Sequence, residues 1–104
     1  MQNMSKMKFE LEFSEIADKQ LEELENTPSK KAVYKAIHKA LGYLETNLKH
    51  PSLKTHKYSR EKGKNGEDVF EAYVQNNTPG AYRIFWHYGP AKGVISVLAI
   101  SPHP

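Results

Sequence analysis

The chain has 104 residues, of which 38% are hydrophobic and 26% charged, with a formal net charge of +3 and no cysteine. This length suits one globular domain over residues 1–104, and the composition excludes a disordered chain. The lack of cysteine excludes disulfides and thiolate metal sites and makes the cytoplasm the expected compartment. No apolar run approaches the length of a membrane-spanning helix, so no membrane partner is expected. Residues 1–10 lack the apolar core of a signal peptide, and residues 1–6 are a candidate for a disordered segment.

Charge is distributed unevenly along the chain. Seven acidic residues and one lysine lie between Glu10 and Glu25, whereas six basic residues and one glutamate lie between Lys49 and Lys64. One part of the surface is therefore predicted to attract phosphates and another to repel them. The alternative is that both are ordinary solvated surfaces.

The N-terminal half predicts a strand followed by two helices. Residues 7–13 alternate between apolar and polar side chains, with the period of a half-buried strand. Ser14 is placed to cap a first helix, and Thr27 followed by Pro28 is placed to begin a second one. Pro51 is expected to end the second helix. An apolar stripe on that helix is formed by Val33, Ile37, Leu41, Leu44 and Leu48.

The C-terminal half predicts three strands, in residues 68–74, 81–88 and 93–101. The basic connector His50–Tyr58 and the polar segment Ser59–Asp68 are interpreted as loops, the second of them mobile. The resulting order β-α-α-β-β-β predicts an α+β fold. In this fold an antiparallel four-stranded sheet carries a helical hairpin on one face.

The strand at residues 81–88 places a charged side chain on the sheet. Alternation puts Ile84 and Trp86 on the face that packs against the helices and Arg83 on the opposite face. An arginine there needs a partner because its charge cannot be neutralised. Glu71 on the neighbouring strand is one candidate partner. The other is a phosphate, which matches the forked donors of the guanidinium.

Titratable and cationic residues accompany Arg83 in the sequence. Lys54, His56 and Lys57 lie in the connector, and His103 follows the last strand between two prolines. A histidine can transfer a proton near neutral pH, and cations stabilise extra charge on a pentavalent phosphate. Together these groups are sufficient to cleave RNA by attack of its own 2′-hydroxyl, without a metal. The alternative for His103 is a solvated tail residue.

A zinc site is the remaining interpretation of the histidines. Their spacing matches no known zinc pattern, so no metal and no cofactor are expected. The histidines concerned are His50, His56, His87 and His103.

The segments HPSLKTHK, FEAYV, AYRIFW and VISVLAISPHP, in this order, resemble the RelE/ParE toxin superfamily of bacterial toxin–antitoxin systems over about residues 8–104. The resemblance implies a RelE-like fold. For RelE-like members it implies a ribosome-dependent mRNA endonuclease that cuts the codon in the decoding site through the 2′-hydroxyl. It also implies an antitoxin partner, expected to be acidic because this chain is basic, and a ribosome with bound mRNA. The alternatives are a ParE-like gyrase-inhibiting toxin and a degenerate member that only binds a partner.

The resemblance also implies roles for individual residues. Arg83 matches the arginine that contacts the scissile phosphate, His103 matches a position where some members have a catalytic histidine, and Lys54 falls in the basic segment near the site. Pro51 stands where some members place a catalytic carboxylate, and no aromatic residue follows the last strand. The general base therefore stays open among His103, His56 and Lys54. The residues implied to bind RNA are Lys49, His56, Lys57 and Arg60.

Overall fold

The structure is a computed structural model that describes residues 8–75 and 80–102. Two short 3-10 turns, Pro28–Lys30 and Pro51–Leu53, precede the second helix and the second strand. The expected disorder of residues 1–6 lies outside the described residues. The helices and strands, in chain order, are β1 (Glu10–Phe13), α1 (Glu15–Glu25), α2 (Lys31–Thr46), β2 (His56–Lys62), β3 (Asp68–Tyr73), β4 (Tyr82–Tyr88) and β5 (Val94–Pro102).

The fold is α+β, with both helices on one face of a single sheet, as the sequence predicts. The sheet itself differs from the prediction in two respects. It has five strands in the order β1-β5-β4-β3-β2, because residues interpreted as connector and loop form the edge strand β2. It is also mixed, since β1 pairs parallel to β5 while the other neighbouring strands are antiparallel.

The predicted cap of α1 is confirmed. The hydroxyl oxygen of Ser14 accepts a hydrogen bond from the Ala17 amide at 3.0 Å. The same hydroxyl donates to the carbonyl of Leu98 at 2.8 Å and so attaches the start of α1 to β5. One side chain therefore satisfies an unpaired helix amide and fixes the helix on the sheet.

The predicted bounds of α2 are wrong at both ends. The Thr27 hydroxyl donates to the carbonyl of Glu23 in the last turn of α1, at 2.6 Å, and does not cap α2. Pro28 begins a 3-10 turn, and α2 starts at Lys31. The helix ends at Thr46, before Pro51, which begins the next 3-10 turn. None of the helices in the described residues is long and apolar enough to cross a membrane.

The core lies between the helices and one face of the sheet. From α2, Ile37, Leu41 and Leu44 are buried against that face. From β4, Ile84 and Trp86 pack into the same cluster. Because side chains alternate along a strand, Arg83, Phe85 and His87 lie on the other face, as the sequence predicts. We call this second face the open face, because no described helix covers it.

Candidate functional site

Arg83 is a buried cation on the open face. The guanidinium Nε lies 3.7 Å from Oε2 of Glu71, and the two side chains are among the few buried charged groups, Glu71 being 1% exposed and Arg83 7%. The Nη1 group donates to the carbonyls of Gln75 at 2.9 Å and Tyr82 at 3.2 Å. The guanidinium carbon stands 3.7 Å from the centre of the Tyr73 ring. These contacts hold the fork of Arg83 in one orientation, with Glu71 beside it.

His56 connects the edge strand to this buried pair. It lies opposite Glu71 in the β2–β3 register, and its Nε2 is 2.9 Å from Oε1 of Glu71. Its Nδ1 is 3.0 Å from the carbonyl oxygen of Lys54. A carbonyl and a carboxylate only accept hydrogen bonds, so each of these two contacts needs a hydrogen on the ring nitrogen that makes it. The side chain of His56 is 48% exposed, so this group is the accessible end of the cluster.

Lys54 follows the 3-10 turn Pro51–Leu53, and its side chain approaches the residues around Arg83. Its backbone is left-handed, with φ of 44°, and its amide donates to the Pro51 carbonyl at 3.2 Å. A non-glycine residue in this conformation is uncommon, and here it turns the chain into β2. The ammonium group lies 5.7 Å from the centre of the Tyr73 ring. Three sequence-predicted site residues, Lys54, His56 and Arg83, therefore gather around Tyr73.

The structure places Lys57 apart from these residues. Its strand partner is Phe70, which packs against the helix-side core, so Lys57 projects to the face opposite His56. Its Nζ lies 3.4 Å from Oδ2 of Asp68. A hydrogen bond from Lys62, 2.6 Å away, and the charge of Lys57 hold the pKa of Asp68 below its ordinary value. Lys57 is thus one member of an exposed ion-pair network on the edge strand.

The other predicted residues lie at different places. Arg60 is exposed on β2. Lys49 lines a cleft of about 640 Å³ on the helix side, and Lys54 lines the same cleft. His103 lies outside the described residues.

Two of the histidines considered for zinc have other surroundings. His50 stacks on Tyr43 with ring centres 3.8 Å apart, and His87 is buried with its Nδ1 2.9 Å from the Tyr88 carbonyl. Within residues 8–75 and 80–102, no three side chains of metal-binding type come together.

Tyr73 is the residue that sequence analysis missed. Its ring contacts the guanidinium of Arg83, the ammonium of Lys54 and the imidazole of His56, whose ring centre is 5.9 Å away. The signal was present in the alternation of residues 68–74, which puts Tyr73 on the same face as Glu71. An aromatic face in contact with two cations and an imidazole is the centre of this site.

Comparison with solved structures shows which known folds this chain is similar to. The archaeal RelE in the RelE–RelB complex from Pyrococcus horikoshii OT3 superposes with a TM-score of 0.63 at 20% identity, covering 92% of this chain and 96% of that one. The YoeB dimer from Staphylococcus aureus gives a TM-score of 0.61 at 14% identity, covering 93% of this chain and 99% of that one. No protein-family model and no curated protein sequence matches. The chain therefore has the fold of RelE and YoeB, as the sequence resemblance implies.

Proposed function

We propose that this chain is the toxin of a toxin–antitoxin system and acts as a ribosome-dependent mRNA endonuclease that needs no metal. The observation that carries the proposal is the RelE and YoeB fold over 92–93% of the chain, combined with two cationic side chains and a histidine gathered around the Tyr73 ring. Fold alone does not define an activity, so the cluster is the decisive part.

The chemistry requires charge stabilisation and two proton transfers. The 2′-oxygen loses its proton and attacks phosphorus, the bond to the 5′-oxygen breaks, and that oxygen gains a proton. In the proposal, Lys54 and Arg83 stabilise the charge on the phosphate, with the exposed His56 beside them. His103 transfers a proton, and Lys49, Lys57 and Arg60 bind phosphates of the message.

Two partners follow from this proposal. A chain of 104 residues offers little surface to orient a message, and the ribosome would hold the RNA in a reactive geometry. The second partner is an acidic antitoxin, since the chain carries a net charge of +3 and the archaeal relative was solved as a complex with RelB. A gel-filtration profile that the neighbouring gene's product leaves unchanged would count against this second partner.

The test is primer extension on a message that is being translated in vitro. Wild type is compared with Arg83→Ala, His103→Ala and the control Lys35→Ala, whose side chain is exposed on α2. We expect ribosome-dependent cuts at decoding-site codons for wild type and the control, and none for Arg83→Ala. Loss of cutting in His103→Ala would assign it the proton transfer. An intact message with wild-type protein in every codon context contradicts the proposal.

A second candidate is a member that binds a partner without chemistry. It is favoured by the contacts of Arg83, which already has Glu71, Tyr73 and two carbonyls around its guanidinium. Under this candidate Arg83 is a structural residue, and messages remain intact. If gyrase-dependent DNA breaks appeared instead, the partner would be gyrase, as for a ParE-like toxin.

A further inference from the structure

A second feature of the open face is a small cleft between β2, β4 and β5. Its volume is about 210 Å³. Clefts for drug-sized ligands are typically about 300–1,000 Å³, so this one suits a single small planar group. The residues that line it are Tyr58, Glu61, Phe85, Ala99, Ser101 and Pro102.

The cleft depends on an irregularity in β2. The register pairs Lys57 with Phe70 and Lys62 with Asp68, so five residue steps on β2 run opposite two on β3. In a regular strand, Tyr58 and Glu61 would project to opposite faces, because their positions differ by three, an odd number. The irregularity brings both side chains to the same cleft. Such bulges re-aim side chains, and they are frequent next to functional sites.

The inner wall of the cleft is aromatic. Phe85 is buried, and the Tyr58 ring stands edge-on to it with ring centres 5.0 Å apart. Tyr58 is only half-buried, so part of its ring remains available to a ligand. Aromatic side chains of this kind are the platforms on which unpaired bases of RNA stack.

The rim of the cleft carries two polar side chains for which residues 8–75 and 80–102 provide no polar partner. Neither the carboxylate of Glu61 nor the hydroxyl of Ser101 makes a hydrogen bond or ion pair within the described part of the chain. A carboxylate presents two acceptor oxygens, so it selects a ligand edge with two adjacent donors. Among the four RNA bases, guanine has such an edge, in N1–H and the 2-amino group. Uracil instead presents one N–H between two carbonyl oxygens, which the carboxylate would repel.

The cleft adjoins the cationic cluster. Ser101 on its rim is the strand partner of Arg83, and Phe85 on its wall is the strand partner of Glu71. A nucleotide whose base occupied the cleft would therefore have its phosphate near Arg83. We propose that this cleft is a guanine-binding subsite that selects the base next to the cleaved phosphate, an inference that rests on the proposed action on RNA.

The first test measures binding without catalysis. Amide chemical shifts of the full chain are followed while 5′-GMP, AMP, CMP or UMP is added, with inorganic phosphate as the probe for simple anion binding. We expect GMP alone to shift Tyr58, Phe85 and Ser101, and Glu61→Gln to weaken GMP binding by roughly tenfold or more. The matched control Glu23→Gln, an exposed glutamate on α1, should bind like wild type. Tyr58→Leu provides a second variant, and Glu61→Gln decides the test if that variant does not fold.

Equal shifts from all four nucleotides, or GMP affinity that Glu61→Gln leaves unchanged, would overturn the guanine subsite. The second test compares the cut sites of wild type and Glu61→Gln on translated messages. If both cut with the same base preference, the cleft does not select the base. If wild type cuts nothing while GMP still binds the cleft, the proposed nuclease function fails and the base-binding site stands.

Discussion

The Nε2 of His56 lies 2.9 Å from Oε1 of Glu71, and Oε2 of the same carboxylate lies 3.7 Å from Nε of Arg83. One buried carboxylate thus joins a half-exposed imidazole on the edge strand to a buried guanidinium on β4. Glu71 therefore links the edge strand to the buried cation of the proposed site. This link also makes Glu71 the residue on which the stability of the cluster depends most.

Glu71→Gln should lower the free energy of unfolding by about 3 kcal/mol, because the change leaves the Arg83 charge buried without its counter-charge. Urea unfolding followed by circular dichroism measures this loss as a lower midpoint with an unchanged slope. Glu23→Gln, on the exposed side of α1, should stay within about 0.5 kcal/mol of wild type.

The double variant Glu71→Gln/Arg83→Met provides the internal control for this prediction. Removing both charges should recover much of the lost stability, since no unpaired buried ion remains. A single variant Glu71→Gln with the wild-type midpoint would show that the pair contributes nothing to folding.

Lys54→Gln should reduce cleavage of translated messages by roughly a hundredfold while leaving the unfolding midpoint near that of wild type. The reason is that the ammonium group, exposed beside the Tyr73 ring, is placed to stabilise charge on the phosphate. Lys35→Gln removes the same charge from the outer face of α2 and should keep full activity. Equal activity of the two variants would remove Lys54 from the site.

Ser14→Ala should lower the free energy of unfolding by about 1–2 kcal/mol, because it removes the cap of α1 and the hydrogen bond to Leu98 together. Thermal unfolding against Ser29→Ala, an exposed serine outside any cap, measures the difference. If the two variants melted at the same temperature, the hydrogen bonds of the Ser14 side chain would contribute nothing measurable to stability.

Asp68→Asn should have a pH-dependent effect on stability. The hydrogen bond from Lys62 and the charge of Lys57 lower the pKa of Asp68 from its ordinary value of 3.8. A group whose folded pKa is depressed stabilises the fold above its unfolded pKa and loses that contribution as pH falls through the folded one. The melting temperature of the variant should therefore lie slightly below wild type at neutral pH and converge with it as pH falls below the lowered pKa of Asp68. If the difference in melting temperature between wild type and the variant widened in acid instead, the lowered pKa of Asp68 would be contradicted.

The parts of the fold that follow from hydrophobic alternation were predictable from the sequence. The sides of β4 are an example, with Trp86 in the core and Arg83 on the open face. Strand β2 was missed because an edge strand with solvent on most of its surface has no apolar alternation to detect. The direction of β1 was missed because alternation is the same for parallel and antiparallel pairing.

Lys54, His56 and Arg83, which the structure brings together, are candidates that the sequence alone offers, but Tyr73 and the contacts among these residues are not. Pairing Arg83 with Glu71 follows from neighbouring strands of one hairpin. The hydrogen bond from His56 requires the β2–β3 register, and the gathering of cations around Tyr73 requires the left-handed turn at Lys54. Neither feature leaves a periodic signal in the sequence, because each depends on how distant segments align.

The pairing of β5 with both β1 and β4 has a consequence for how the protein is made. β5 is the last strand in chain order, yet it provides the hydrogen-bonding partner for the first strand and for β4. Until β5 has left the ribosome, β1 has no partner in the sheet, α1 lacks the Leu98 carbonyl that anchors its start, and the apolar face of the helices has only part of its cover. Folding that relies on such distant pairings is slow to begin. A nascent chain should therefore stay incompletely folded until β5 has emerged from the ribosome.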